Sequence, residues 1–307
     1  MYDVIILGGG PGGLTAGIYS GRANLKTLLI EPNILGGQMA STTGVENYPG
    51  ASQEDTGMSL AEKMADQARN FNVEVKYETA ESLDLEGPVK KVKTDQAEYE
   101  SKTVILAMGA QSRRLGVPGE EEFTGRGVSY CATCDGAFYQ GGDIYVIGGG
   151  NSAVEEGLFL THLAKKVYIV HRRDALRADK YLQDRALNNE KVEILWNTVP
   201  EEIKGDKTLE SMVLRDTQTG ELREVKKAEG QPMGIFFYVG QDPRTDLVEG
   251  LLDLNRGYIV TDEDMATSQP GVFAVGDIRD KKLRQIATAV GDGAIAANAA
   301  LSYIDHL

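Results

Sequence analysis

Short apolar runs that end in glycine recur along this chain, and their spacing predicts alternating strands and helices. Asp3–Leu7 is a short apolar run, the pattern of a buried parallel strand. Leu14–Ser20 has helical character, and Thr27–Ile30 reads as the next strand. Thr56–Phe71 carries Leu60, Met64 and Ala68 on one face, which predicts an amphipathic helix. Val73–Thr94 reads as short antiparallel strands, and Thr103–Gly109 as another apolar strand running into a glycine. The pattern then repeats. Asp143–Ile147 and Val167–Val170 read as strands around a helix at Val154–Leu163, and Lys191–Trp196 as a further short strand. Hairpins with turns at Gly205 and Gly220 follow, up to Lys227. Gly234–Gly240, Gly257–Val260 and Gly271–Asp277 are further strands, and an Ala/Gly-rich helix closes the chain.

Two stretches read as linkers: Leu115–Gly119, rich in Gly and Pro, and Gln241–Thr245. They predict a domain at 115–240 inserted between 1–114 and 241–307, so that the first domain is built from both chain ends. Val4–Tyr19 is apolar, but Met1-Tyr2-Asp3 brings no positive charge ahead of it, and glycines and a proline interrupt it. It reads as the opening strand and turn of a mature domain. No stretch reaches the ~18 uninterrupted apolar residues of a membrane span.

Both predicted domains carry a phosphate-binding turn between strand and helix. Gly8, Gly10, Pro11 and Gly13 lie in a GxGxxG, with Glu31 closing the next strand where a ribose-binding acid belongs. Gly148, Gly150, Asn151, Ser152 and Ala153 form a second fingerprint of the GxGxxA kind. The strand after it runs into His171, Arg172 and Arg173, with Arg177 following. Arginines in place of the acid suit a 2′-phosphate, which predicts NADPH over NADH. A solvated basic patch is the plainer reading of the same residues. The expected fold class is therefore α/β, with two Rossmann-like dinucleotide-binding domains, the NADPH domain inserted into the other. Gly109 and Gly276-Asp277 end strands of the first domain, where such sheets meet their ligand.

Composition narrows the partners. A net charge of −14 argues against nucleic acid. The only two cysteines of the 307 residues are Cys131 and Cys134, a CxxC. Such a pair can close and reopen a small disulfide, carrying two electrons. Zinc would need further ligands, but there is no second CxxC and the three histidines are scattered. A structural disulfide across so short a loop restrains little of the unfolded chain. Two inert thiols are a third reading. One CxxC and no other cysteine fit a reducing compartment, hence the cytoplasm. Asp135, next to Cys134, is placed to give or take a proton.

These stretches resemble the low-molecular-weight bacterial thioredoxin reductases over almost the whole chain. The resemblance rests on GGGPGG, GGQ at 36–38, VENYPG, GRGVSYCATCDG, GGGNSAVEEG, HRRDALRA, GVFAVGD and Arg284-Gln285. It implies FAD in the two-part domain, held by Gly8, Gly10, Pro11, Gly13, Glu31, Gly36, Gly37, Gln38, Asn47, Gly109, Gly276, Asp277, Arg284, Gln285 and Ile286. It implies NADPH on the inserted domain at Gly148–Ala153 and beside His171, with Arg172, Arg173 and Arg177 on its 2′-phosphate. Cys134 would face the flavin, Cys131 would exchange with thioredoxin, and Asp135 would handle protons. The resemblance also implies a homodimer and a domain rotation in each cycle, with Arg126 and Phe138 near the thioredoxin-docking surface. Three positions depart from the family pattern: Met108 for Thr, Ala137 for an aromatic, and Ile286 for Ala. Competing readings are the flavoprotein arm of an alkyl hydroperoxide reductase, a ferredoxin-fed thioredoxin reductase, and a non-catalytic NADPH sensor with an inert disulfide. Ferredoxin–NADP reductases lack the CxxC.

Overall fold

The computed structural model describes residues 1–42, 44–45, 47–52 and 54–307. Glu46 of the VENYPG stretch lies outside the described residues. The chain divides into two units, Met1–Gln111 with Asp242–Leu307, and Ser112–Gln241.

The first unit opens with β1 (Tyr2–Leu7), α1 (Pro11–Arg22), β2 (Thr27–Ile30), α2 (Gly57–Asn70) and β3 (Glu74–Lys76). Then come β4 (Ala80–Asp84), β5 (Lys90–Thr94) and β6 (Glu98–Leu106). The strands β3, β2, β1 and β6 lie side by side and parallel. β1 alternates its buried side chains between two cores, Val4 and Ile6 on one face, Ile5 and Leu7 on the other. That double burial is why Val4–Leu7 is apolar without a break. The Thr56 hydroxyl accepts from Ser59 N and starts α2.

Two expectations need correction here. β3 pairs parallel with β2, so of the strands in 73–94 only β4 and β5 run antiparallel to each other. It follows a helix, and a strand reached by a helical crossover is parallel to its neighbour. β6 begins at Glu98, well before Thr103, because its first half pairs with β5 and its second half with a strand from the far end of the chain.

The chain passes into the second unit through β7 (Ala110–Ser112). There β8 (Val128–Ser129), the short helix α3 (Ala132–Asp135), β9 (Asp143–Gly148), α4 (Asn151–Leu160), β10 (Lys166–Val170), α5 (Lys180–Leu187) and β11 (Val192–Leu195) follow. A three-stranded antiparallel layer is made of β12 (Thr198–Gly205), β13 (Leu209–Asp216) and β14 (Leu222–Lys226). β15 (Met233–Tyr238) completes a parallel sheet of order β11-β10-β9-β15-β8. Ile144 and Val146 of β9 enter one core, Tyr145 and Ile147 the other. The two parallel sheets thus repeat one design.

Leu115–Gly119, read from composition as a linker, packs into the second unit. Val117 lies against its core, and Pro118 O accepts from Ile203 N at 2.9 Å. The cause is Glu120, whose buried carboxylate accepts from Leu115 N and Val117 N and from the Tyr130 hydroxyl. The division between the units falls earlier, at Gln111/Ser112.

The chain returns through β16 (Gln241–Pro243), the pair β17 (Leu254–Asn255) and β18 (Tyr258–Ile259), β19 (Val272–Ala274) and α6 (Ile286–Asp305). β19 lies parallel to the second half of β6. α6 packs closely on α1: a Cβ at Gly293 would sit 2.3 Å from Gly12 O. No helix among the described residues is long and apolar enough to cross a membrane.

Candidate functional site: two nucleotide cradles and a redox loop

In the first unit the turn after β1 has no room for side chains. Gly8 has φ +105°, and a Cβ there would lie 2.3 Å from Ala107 O. Gly10 is different, because a Cβ there would meet nothing within 4 Å. Gly10 also caps α1 without a side-chain hydrogen bond, and Pro11 follows it. Gly10 thus leaves open space at the N-terminus of α1, a fit for the pyrophosphate of a dinucleotide. Glu31 is 9% exposed and accepts from Gly9 N at 2.7 Å and Asn33 N at 3.0 Å, which fixes its carboxylate beside that turn. Gly36 N donates to Gly9 O, and the Gln38 amide to Ala110 O, so the loop at 36–38 closes along the same edge. Gly109 O accepts from Arg244 N.

Residues from the far end of the chain join them. Asn47 Nδ2 donates to Gln285 Oε1 at 2.9 Å, across a separation of 238 residues. Gly276 N donates to Asp292, whose carboxylate also holds Arg279 and Lys281, each at 2.8 Å. That buried network fixes the Gly276-Asp277 turn. Burial pushes the Asp277 carboxyl up, while Lys281 and Arg284 oppose the shift. Arg284 lies 3.8 Å above the Tyr258 ring and donates to Asp277 O and Arg279 O. Met108 and Ile286, the two departures here, are partly buried against the two cores.

The second cradle sits at the end of β9. A Cβ at Gly150 would meet nothing within 4 Å, and Gly150 caps α4 without a side-chain bond. The arginine segment folds back onto this turn. Arg177 N and Ala178 N both donate to Gly149 O, at 2.7 and 3.1 Å. The Asn151 amide is spent on Asp179, donating to its carboxylate and accepting from its N–H, both at 2.7 Å. His171 is buried, with Nδ1 3.1 Å from Gly148 O and Nε2 3.0 Å from Ala175 O. Both ring nitrogens face backbone, so His171 positions the turn and the arginine segment instead of reaching for a ligand. Burial pulls its imidazole down, and Arg177 and Arg173 add to that, against the two carbonyls. Arg172, Arg173 and Arg177 are exposed, and none has an ion-pair partner among the described residues. Three unpaired cations on a chain of net charge −14 suit a phosphate dianion.

The redox loop belongs to this second unit. Cys131 and Cys134 are joined in a disulfide, with Cα atoms 5.3 Å apart. Cys134 N donates to Cys131 Sγ at 3.2 Å. The Ser129 hydroxyl donates to Asp135 at 2.6 Å and accepts from Cys131 N at 3.0 Å. Ala132 N donates to the Tyr238 hydroxyl at 2.8 Å. Phe138 is 76% exposed beside the loop, next to the small, exposed Ala137.

Sequence reasoning missed several of these groups. A Cβ at Gly149 would lie 2.2 Å from the His171 ring, and the GGG in place of GxG was the available signal. Ser129 and Tyr238 had no signal, because their role comes from pairing β15 with β9 and β8.

Residues 2–293 match the pyridine nucleotide-disulphide oxidoreductase family. The chain is 48% identical to a thioredoxin reductase of Peptoclostridium acidaminophilum over 307 residues, covering 99% of this chain and 98% of that protein. It is 49% identical over 309 residues to that of Bacillus subtilis strain 168, covering 100% of this chain and 96% of that one. The crystal structure of Lactococcus lactis thioredoxin reductase in its FR conformation matches with a TM-score of 0.95 at 47% identity, covering 100% of both chains. Two dinucleotide cradles, a redox CxxC and this full-length likeness agree: the chain belongs to the thioredoxin reductases of the pyridine nucleotide-disulphide oxidoreductase family.

Proposed function

We propose that this protein is an NADPH-dependent thioredoxin reductase that carries electrons through FAD and the Cys131–Cys134 pair. The observation that carries the reading is the redox disulfide on the same unit as a nucleotide turn backed by unpaired arginines. FAD, when bound, accepts a hydride from NADPH and passes two electrons on to a disulfide. Gly8, Gly10, Pro11, Gly13, Glu31, Gly36, Gly37, Gln38, Asn47, Gly109, Gly276, Asp277, Arg284, Gln285 and Ile286 line its site. Gly148, Gly150, Ser152 and Ala153 take the NADPH pyrophosphate, and Arg172, Arg173 and Arg177 its 2′-phosphate.

The chain's own part is thiol chemistry. Once the disulfide is open, Cys131 attacks the disulfide of thioredoxin, and Cys134 resolves the mixed disulfide and re-forms the bond to Cys131. Asp135, held by Ser129, moves the proton between sulfur and solvent. Phe138 and Arg126 serve the docking surface. The CxxC and the NADPH residues ride on one unit and the flavin residues on the other, so that unit turns between the two half-reactions. The protein works as a homodimer in the cytoplasm, where reduced thioredoxin is used; a single CxxC with no other cysteine supports that compartment.

The test is reduction of a panel of thioredoxins with NADPH, NADH or reduced ferredoxin as donor. NADPH is expected to support turnover at least about tenfold better than NADH, with no turnover on ferredoxin. Turnover on ferredoxin alone, or on no thioredoxin, overturns the assignment.

A further inference from the structure

Ser129 and Asp135 close the redox loop from its two ends. Ser129 is the last residue of β8, and pairing with Phe236 of β15 fixes its backbone. Asp135 is the last residue of α3, directly after Cys134. The chain reverses between them through Tyr130 and Cys131, so that side chains 6 positions apart meet at 2.6 Å.

The Ser129 hydroxyl has three groups within reach. It donates to Asp135 Oδ2 at 2.6 Å, accepts from Cys131 N at 3.0 Å, and stands 3.3 Å from Cys131 O. A serine turn explains the Cys131 N contact, because such hydroxyls take up the backbone two residues on. It does not require an acid at Asp135. Ser129 is buried, and among the described residues the Asp135 carboxylate has no other hydrogen-bond partner. The remaining hydroxyls of the loop are placed elsewhere. Tyr238 is taken by Ala132 N, and Thr133 Oγ1 is buried with no partner among the described residues.

A hydroxyl has one proton to give and two lone pairs to accept with. Ser129 has two acceptors in range for its one proton, Asp135 Oδ2 and Cys131 O. With Asp135 ionised, that proton points at the carboxylate. With Asp135 protonated, the carboxyl O–H donates to Ser129 Oγ, and the hydroxyl proton turns to Cys131 O. That carbonyl accepts from Asp135 N at 3.2 Å and has a second lone pair for the hydroxyl. Cys131 N keeps its acceptor in both states.

We propose that Ser129 is a positioning residue for the proton transfers of the CxxC, a two-way hydrogen-bond switch that holds Asp135 in one place with and without its proton. The proposal rests on the reading of Asp135 as the proton carrier of the pair. One exchange loads and unloads that carrier twice. The Cys131 proton passes to Asp135 and on to solvent, and the Cys131 sulfur attacks the thioredoxin disulfide. That S–S bond breaks, and the leaving thioredoxin sulfur takes a proton from solvent. The Cys134 proton then follows the same path as Cys134 attacks the Cys131 sulfur of the mixed disulfide. The second thioredoxin sulfur leaves with its electron pair and is protonated from solvent. Two electrons have passed to thioredoxin, and the two protons given up match the two taken up. The Cys131–Cys134 bond is restored, and Asp135 is ionised as at the start.

The test is a double-mutant cycle of Ser129→Ala and Asp135→Asn. Holoenzyme reduced with dithiothreitol and freed of it is mixed with excess oxidised thioredoxin, and thioredoxin thiols are counted by mass. Ser129→Ala should lower the maximal rate about tenfold, the scale of one hydrogen bond to a charged group. The half-saturating thioredoxin concentration should stay the same. Asp135→Asn should lower the rate about 100-fold, the scale of a lost acid–base group. The double variant should match Asp135→Asn, because Ser129 acts only through that carboxyl. Alkylation of the reduced pair by iodoacetamide at about pH 9.5, where free thiols ionise without a base, should be equal in all four proteins. A Ser129→Ala variant at the wild-type rate overturns the proposal. So does a double variant about tenfold slower than Asp135→Asn, the additive result of a purely structural role. A loss confined to the half-saturating concentration, or unequal alkylation, also overturns it, since either places the effect in the shape of the loop. An undiminished Asp135→Asn removes Asp135 as the carrier and the switch with it. Wild-type enzyme that reduces no thioredoxin overturns the reductase reading and the switch together, a result distinct from each of the others.

Discussion

Replacing either Cys131 or Cys134 with Ser lowers thioredoxin reduction by roughly 10³-fold or more, the usual scale for a lost nucleophile. NADPH-driven bleaching of the flavin absorbance persists in both variants. The separation follows from where the groups sit. The nucleotide turn at Gly148–Gly150 is built by β9, α4 and the arginine segment, and no sulfur takes part in it. The redox loop is held by other contacts, Ala132 N to Tyr238 and Cys131 N to Ser129, and Ser at either position leaves these backbone donors in place. Stopped-flow absorbance, beside an assay of thioredoxin thiols, reads the two halves apart. A single-cysteine variant that turns thioredoxin over at near the wild-type rate removes the CxxC from the reaction.

The second large effect is on the choice of nucleotide. Arg173→Ala weakens use of NADPH by about 10- to 150-fold and leaves NADH nearly unchanged. The range corresponds to one charge-assisted hydrogen bond of about 1.5–3 kcal/mol. The Arg173 side chain is exposed, and its backbone is fixed, with its carbonyl accepting from Asn197 N at 3.2 Å. Loss of the guanidinium therefore removes a ligand contact without loosening the segment. Steady-state kcat/KM for the two nucleotides gives the ratio. Equal losses for both would show that Arg173 does not read the 2′-phosphate.

Much of the fold was legible because parallel strands buried on both faces leave unbroken apolar runs. Thr27–Ile30 and Asp143–Ile147 are strands in the structure within a residue of where the pattern placed them. The glycine turns were legible for the same reason that they work: side chains would collide at Gly8 and fill the open space at Gly10. What the pattern hid was pairing between distant segments. Nothing local shows that β6 is shared by β5 and β19, or that Asn47 meets Gln285. Gly and Pro at Leu115–Gly119 suggested a linker, but one buried carboxylate, Glu120, takes up its backbone N–H groups and ties the stretch to the second unit. His171 stands in the arginine motif yet is turned inward, a distinction carried by the Gly148 and Ala175 carbonyls alone.

The central claim is that electrons reach thioredoxin through Cys131. The direct measurement is to mix the Cys134→Ser variant with a thioredoxin lacking its resolving cysteine and activated as a mixed disulfide with a small aromatic thiol. Peptide mass mapping then locates the cross-link. The account predicts one thioredoxin per chain, joined to Cys131, and no adduct with Cys131→Ser at comparable rate. Absence of an adduct at Cys131, or equal trapping through Cys134 in the Cys131→Ser variant, contradicts it.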